Sequence, residues 1–359
     1  MELKINRLPA YTFGWLQMNE AVLEDVSAGR AIEAQVEVPE GLSLTTEERS
    51  GLEDVKTGSG EDMDKLVKEA GVSRQVLEVP AGADPQQALR ILIPCEEGAN
   101  AVNSYGAVLG EGSHATVVLA WDGDRQSKGF SAAQMKFVVG KNARLDLVQI
   151  VRGGEDYQII SDVGIDCGEG ADVHVVHLFL SGKEIYQGLR TNLKGEGSHL
   201  LADVAYTVHL DHKLDMNYFA DQTGKNTKSE MYLNGVLRDT AKKMFRGSID
   251  FKKGCGGSTG DEKEDVLLID DGVENKTIPL ILCDEEDVEG NHGATIGRLD
   301  EEILFYMASR GLSEEQIYSV MADARIEAVV RKIPDDIARK RLHDEMEDEL
   351  RTCRREERR

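Results

Sequence analysis

The sequence predicts a mainly β protein, a β-helix solenoid with helical regions at its amino and carboxy ends. Three observations lead there. From about Gln75 to residue 298, short runs rich in Val, Ile, Leu and Thr are broken by glycine and leave little room for helices. Inside that stretch a glycine turn followed by an alternating strand recurs at nearly constant spacing. Beyond residue 299 the apolar positions change to helical periodicity. The expected organisation is an N-terminal helical region over 1–75, a β-helix core over 76–298 and a C-terminal helical domain over 299–359.

The N-terminal region opens with Leu8, Phe13, Trp15, Leu16, Met18 and Val22 around Pro9, which predicts a short docking helix after a turn. The polar stretch 44–72 has sparse apolar anchors, and its GSGED segment reads as an exposed loop between two short helices. The opening MELKINRLPAYTFGWL lacks a basic segment followed by an apolar one, and no run of about 18 apolar residues occurs. A cytoplasmic protein that does not engage membranes is expected.

The core carries the repeat. GEGSHATVVL starts at Gly110, GKNARLDLVQI at Gly140, GEGADVHVV at Gly168 and GEGSHLLADV at Gly195, with spacings of 30, 28 and 27 residues. A unit of that length cannot bury its apolar face alone and stacks on its neighbour, so the repeat predicts coils of several short strands each. A sandwich would space its strands more closely and without self-similarity. Strand signals continue through MYLNGVLRD, KMFRGSIDF, DVLLID and TIPLILC and stop at EGNHGATIG, residues 289–297.

Helices follow. Asp300, Glu301 and Glu302 place acids in a first turn, Gly311 can end that helix, and Ser313 to Gln316 matches a capping box for the next. Ile303, Tyr306 and Met307, then Ile317, Val320, Met321 and Ala324, recur at helical spacing. The charged last 20 residues read as a solvated helix face or a frayed tail.

Composition narrows the function. A net charge of -24 argues against nucleic acid and against an anionic membrane surface as partners. Five cysteines, at 95, 167, 255, 283 and 353, form no CxxC pair or metal-knuckle spacing, so reduced thiols are expected. Cys283 ends an apolar strand and is expected in the core; Cys255, in KKGCGGSTG, reads as a loop thiol. No P-loop, HExxH, nucleophile elbow or dinucleotide fingerprint stands in a suitable context. ATP dependence would therefore come from a partner.

His174 and His177 are three apart in a strand-like run and point to opposite faces, so they cannot share one ion; His209 and His212 are read the same way. His292, bracketed by small residues, is either a turn residue or a group presented to something nearby.

The stretches YLNGVLRDTAKKMFRGSIDFKKG (232–254), DVLLID, the short TIP segment and EEDVEGNHGATIGRLDEEILFYMASRGLS (285–313) resemble the SufB/SufD family of iron-sulfur cluster assembly proteins. INRLPAYTFGWL resembles the start of the SufD members. The resemblance implies a right-handed parallel β-helix and a scaffold rather than an enzyme. It also implies pairing with a SufB-type paralogue through the β-helices and docking of the ATPase SufC on the C-terminal helices. Such a complex holds an iron-sulfur cluster transiently, shared between partners, and hands it to apo-proteins, with ATP used only by SufC.

On the resemblance, His292 matches the SufD histidine near the SufB interface, a candidate cluster and metal ligand. The helix residues Ile303, Leu304, Tyr306, Met307, Ile317, Val320 and Met321 would meet SufC. Gly290 stands where some members carry a cysteine, and the N-terminal cysteine cluster of SufB is missing, which favours the SufD role. GCGGSTGDEKED replaces the family's glutamine-bearing loop. Flavin binding stays open. The alternatives are a sole SufB/SufD-type subunit that pairs with itself and, from another class, a β-helix carbohydrate-active enzyme using acidic side chains.

Overall fold

The computed structural model describes residues 1–10, 14–27, 29–46 and 51–356, with side chains described up to residue 346. Phe13 and the side chain of Cys353 lie outside them.

The chain starts with an antiparallel hairpin, β1 (Leu3–Ile5) and β2 (Ala21–Leu23). Two short strands, β3 (Gln35–Glu37) and β4 (Leu44–Thr45), and the helix α1 (Glu61–Glu69) precede the solenoid. Eight coils of two strands follow: β5 (Gln75–Val79) with β6 (Leu89–Pro94), β7 (Asn100–Leu109) with β8 (His114–Asp122), β9 (Lys128–Val139) with β10 (Arg144–Arg152), and β11 (Asp156–Cys167) with β12 (Asp172–Ser181). Then come β13 (Glu184–Leu193) with β14 (His199–Val208), β15 (Lys213–Gln222) with β16 (Lys228–Leu237), β17 (Lys242–Phe251) with β18 (Ser258–Leu268), and β19 (Glu274–Cys283) with β20 (Val288–Gly297). The helices α2 (Glu301–Ser309), α3 (Glu314–Val330) and α4 (Asp336–Glu356) close the described chain.

The coils stack into two nine-stranded sheets. Odd-numbered strands from β5 to β19 pair in parallel and β4 adds antiparallel; even-numbered strands from β6 to β20 do the same with β3. Each coil thus holds two strands, mostly of about ten residues, rather than the several short ones expected.

The repeat explains the corners. Gly112, Asn142, Gly170, Gly197, Asn226 and Gly257 all have φ between 52° and 78°, a conformation open to glycine and tolerated by asparagine. Ser113, Ala143, Ala171, Ser198, Thr227 and Ser258 follow them as small buried residues. Between the sheets the core is one continuous file of Val, Ile, Leu, Phe and Tyr.

Both outer faces are partly covered. On the even sheet, Val148, Val176, Leu178 and Ala205 pack against Ile326, Val329 and Val330 of α3 and Leu342 of α4. Arg90 pairs with Asp335 at 2.6 Å and Arg341 with Asp122 at 2.6 Å along that seam. On the odd sheet, the hairpin and α1 bury Leu3, Ile5, Leu23, Met63 and Leu66 against Val102, Ala132 and Ile160.

The N-terminal region departs from expectation in three ways. The docking helix is a single 3-10 turn, Gly14–Leu16, between β1 and β2, and Trp15 on it is fully exposed. Asn6 and Gln17 with positive φ break any helix there, and Ala21–Leu23 alternates buried and exposed as a strand does. Among the described residues of 44–72, α1 is the one helix.

GSGED is no exposed loop: Gly58 and Ser59 are buried, and Glu61 and Asp62 open α1. The Gly58 amide donates to the Val163 carbonyl at 3.1 Å and the Ser59 amide to Asp162 Oδ1 at 2.7 Å. Gly58 lies so close to Gly188 and Leu189 that a Cβ would stand 2.1 Å from a backbone nitrogen, and glycine is what permits the approach.

Candidate functional site at the uncovered end of the solenoid

The two ends of the solenoid differ. At the N-terminal end β3 and β4 cover the sheet edges, whereas at the other end β19 and β20 each have one neighbour and an unpaired edge. An uncovered edge offers backbone donors and acceptors to another chain. The expected Gly-rich turn EGNHGATIG is the last strand, β20; its alternation was hidden because no following coil buries either face, and nearly all of it is exposed.

His292 sits in the middle of β20. It is in register with Glu262 of β18, and Gly290 is in register with Gly260. A Cβ on Gly290 would meet Ile281 and Phe251, so Gly290 faces the solenoid axis. His292, two residues on, faces the same way, and it stands exposed in the mouth of the last coil.

Beneath it the core turns ionic. Lys243 and Glu264, both buried, form an ion pair; Lys243 Nζ also donates to Thr277 Oγ1 at 2.8 Å. Thr277 Oγ1 donates to Glu264 Oε2 at 2.7 Å and Tyr206 Oη to Glu264 Oε1 at 3.1 Å. Burial lowers the Lys243 ammonium from its usual range, and Glu264 opposes that.

Glu262 is different. It is 4% exposed, and Gly247 of β17 vacates its space: a Cβ there would stand 1.9 Å from Glu262 Oε2. Burial pushes its carboxyl up to about 8, the negative charge of Glu264 adds to that and Lys243 opposes it.

Cys283 corrects an expectation. It is exposed, because its row partner Phe251 has a coil above it and Cys283 has none. Cys255 is buried in the turn between β17 and β18, with its thiol raised by burial.

The other histidines behave unevenly. His174 and His177 do point to opposite faces. His177 is buried with Nδ1 2.5 Å from Tyr218 Oη, and His174 lies outside between Asp146 at 3.5 Å and Asp203 at 3.1 Å. His209 and His212 come together instead, with ring centroids 4.9 Å apart. They occupy the turn between β14 and β15, where Leu210 has φ 53°, so the alternation of an extended strand does not apply. Among the described residues no three His, Cys, Asp or Glu side chains are placed to hold a metal ion.

The C-terminal helices divide the remaining candidates. Asp300 caps α2 through the Glu302 amide, and the capping box of Ser313 and Gln316 forms as expected. Ile317 is buried against Val236 and Leu267, so it anchors α3 to the sheet and is closed to a partner. Leu304, Met307 and Met321 pack onto the same cluster, while Ile303, Tyr306 and Val320 are exposed. Phe305, not singled out from sequence, is 78% exposed on α2; its place off the Ile303, Tyr306, Met307 spacing was the available signal.

A family model described as SUF system FeS cluster assembly, SufBD core domain, matches residues 90–325. The chain belongs to the SufBD family. It is 32% identical over 113 residues to a SufBD family protein of Mycobacterium tuberculosis, covering 32% of this chain and 13% of that protein. The SufD of Bacillus subtilis is 28% identical over 155 residues, 42% of this chain and 35% of that one. The SufD of Escherichia coli is 22% identical over 316 residues, 86% and 74% respectively. The chain therefore spans well under two thirds of the first two of these relatives. Its relatives in the SufBD family include proteins named SufD. No helix among its described residues is long and apolar enough to cross a membrane.

Proposed function

We propose that this chain is a SufD-like scaffold subunit of a cytoplasmic complex, with a SufB-type paralogue and the ATPase SufC as partners. It performs no turnover of its own. The observation that carries this reading is His292 at the centre of an edge strand whose far side is unpaired. A SufB-type chain pairing along β19 and β20 would place its own donors over the mouth, where the imidazole of His292 is a competent iron ligand. The cluster is cargo, formed between the two chains and passed to apo-proteins.

SufC docks on the exposed side of α2 and α3, at Ile303, Phe305, Tyr306 and Val320. Because α3 and α4 pack along the even sheet, movement imposed on them by ATP hydrolysis acts on the wall of the scaffold.

Anaerobic co-expression with a SufB-type protein and SufC tests the reading. The complex of wild type forms and retains iron and sulfide; His292→Ala forms the same complex and retains neither. Wild type that binds no partner refutes the scaffold role, and assembly with itself and SufC alone supports the self-pairing alternative. His292→Ala that retains both iron and sulfide refutes the ligand role.

A further inference from the structure

The acid under His292 has no partner of its own. Two glutamates, Glu262 and Glu264, alternate on β18 with both side chains inside the last coils. Glu264 has its charge answered by Lys243 and its oxygens by Tyr206 and Thr277. Glu262 is almost as buried, yet among the described residues no hydrogen bond or ion pair to its carboxylate is formed; its nearest electrostatic neighbours are Glu264, which repels it, and Lys243, which is already paired. The Glu262 oxygens are not among the fully enclosed unpartnered atoms, so a group entering from the mouth can reach them.

The fold makes room for it deliberately. Gly247 across the axis leaves the carboxylate its space, and Gly260 on the same strand faces Ile249 and Phe251 without a side chain. The residue stacked directly above Glu262 is His292, in adjacent-strand register, with side chains on the same face. Neighbouring strands lie about 4.8 Å apart, a separation across which a flexible glutamate and an imidazole can close on one ion.

We infer that Glu262 is a second iron ligand contributed by this chain, an oxygen donor beneath the nitrogen donor His292 in the solenoid mouth. The inference rests on the scaffold reading above, which supplies the iron and, from the partner, the remaining ligands. Carboxylate and imidazole together suit ferrous iron.

The experiment compares wild type, Glu262→Gln and His292→Ala in the co-expressed complex, reading assembly by size exclusion and the rate at which a chelator removes ferrous iron under anaerobic conditions. Glu262→Gln assembles like wild type and loses iron about tenfold faster. A second pair, Glu262→Cys and Glu262→Ser, keeps the test independent of folding, since the two side chains are close in size and only the thiolate is a strong iron donor. The Cys variant holds iron longer than the Ser variant.

If Glu262→Gln holds iron as wild type does while His292→Ala loses it, Glu262 is no ligand and the scaffold reading survives. Equal loss from the Cys and Ser variants also overturns the inference. If the wild-type complex carries no iron, the scaffold reading fails and this inference with it.

Discussion

His292 and Glu262 are register partners on the last two strands of one sheet, so a surface histidine and a buried acid share one face at the uncovered end of the solenoid. That relationship makes the mouth of the last coil chemically distinct from the apolar file below it. It also places both groups next to a strand edge that another chain can extend.

The space over Gly247 is the first thing to test. Gly247→Ala puts a methyl against the Glu262 carboxylate and costs about 1–3 kcal/mol in urea melts of the full chain. In a Glu262→Ala background most of that cost disappears, because the two residues couple. An equal cost in both backgrounds would show that the carboxylate does not occupy that space.

The outer face of the even sheet carries a pH-dependent link to the C-terminal helices. Burial would lower the His174 imidazole, but hydrogen bonds with Asp146 and Asp203 and their charges raise it to about 9. Asp203 also takes Lys332, just beyond α3, at 2.6 Å, and Asp146 takes His114 at 2.7 Å and Arg144 at 3.0 Å. A raised folded pKa stabilises fully below the unfolded value of about 6.5 and is lost as pH rises through about 9. Stability should therefore fall by roughly 1–3 kcal/mol between those values, and His174→Gln should flatten that part of the profile. A wild-type profile unchanged by the substitution would contradict the assignment.

The helices separate anchoring from docking. Ile317→Ala opens a cavity under α3 and costs about 2–5 kcal/mol of stability, whereas Phe305→Ala, at an exposed site, changes it by less than about 0.5 kcal/mol. Affinity for SufC, measured by calorimetry, falls about tenfold or more for Phe305→Ala on the docking assignment. Unchanged affinity would move the docking surface elsewhere.

Much of the solenoid was legible because its corners impose a backbone requirement on sequence. Left-handed φ at Gly112, Asn142, Gly170 and Gly197 restricts each to glycine or asparagine and sets the period. Gly224 and Asn226 continue the series and could have been read by the same rule. The last coil was not legible in the same way: alternation reports burial, and β20 has none to report, so a strand read as a turn and Cys283 as core. His209 and His212 misled for the opposite reason, since they stand in a corner, outside the alternation of either strand. Glu262 and Glu264 carried no warning either. Charged residues alternating in a strand normally mark a solvated face, and here they point inward because Lys243, Thr277 and Gly247 receive them.

Hydrogen exchange of the backbone amides, in the free chain and in complex with a SufB-type partner, tests the central claim most directly. Pairing at the open end predicts new protection in alternate amides of 288–297, with the strands of the first coils unchanged. Protection that appears on the outer faces or at the N-terminal end, with β20 still exchanging freely, would contradict it.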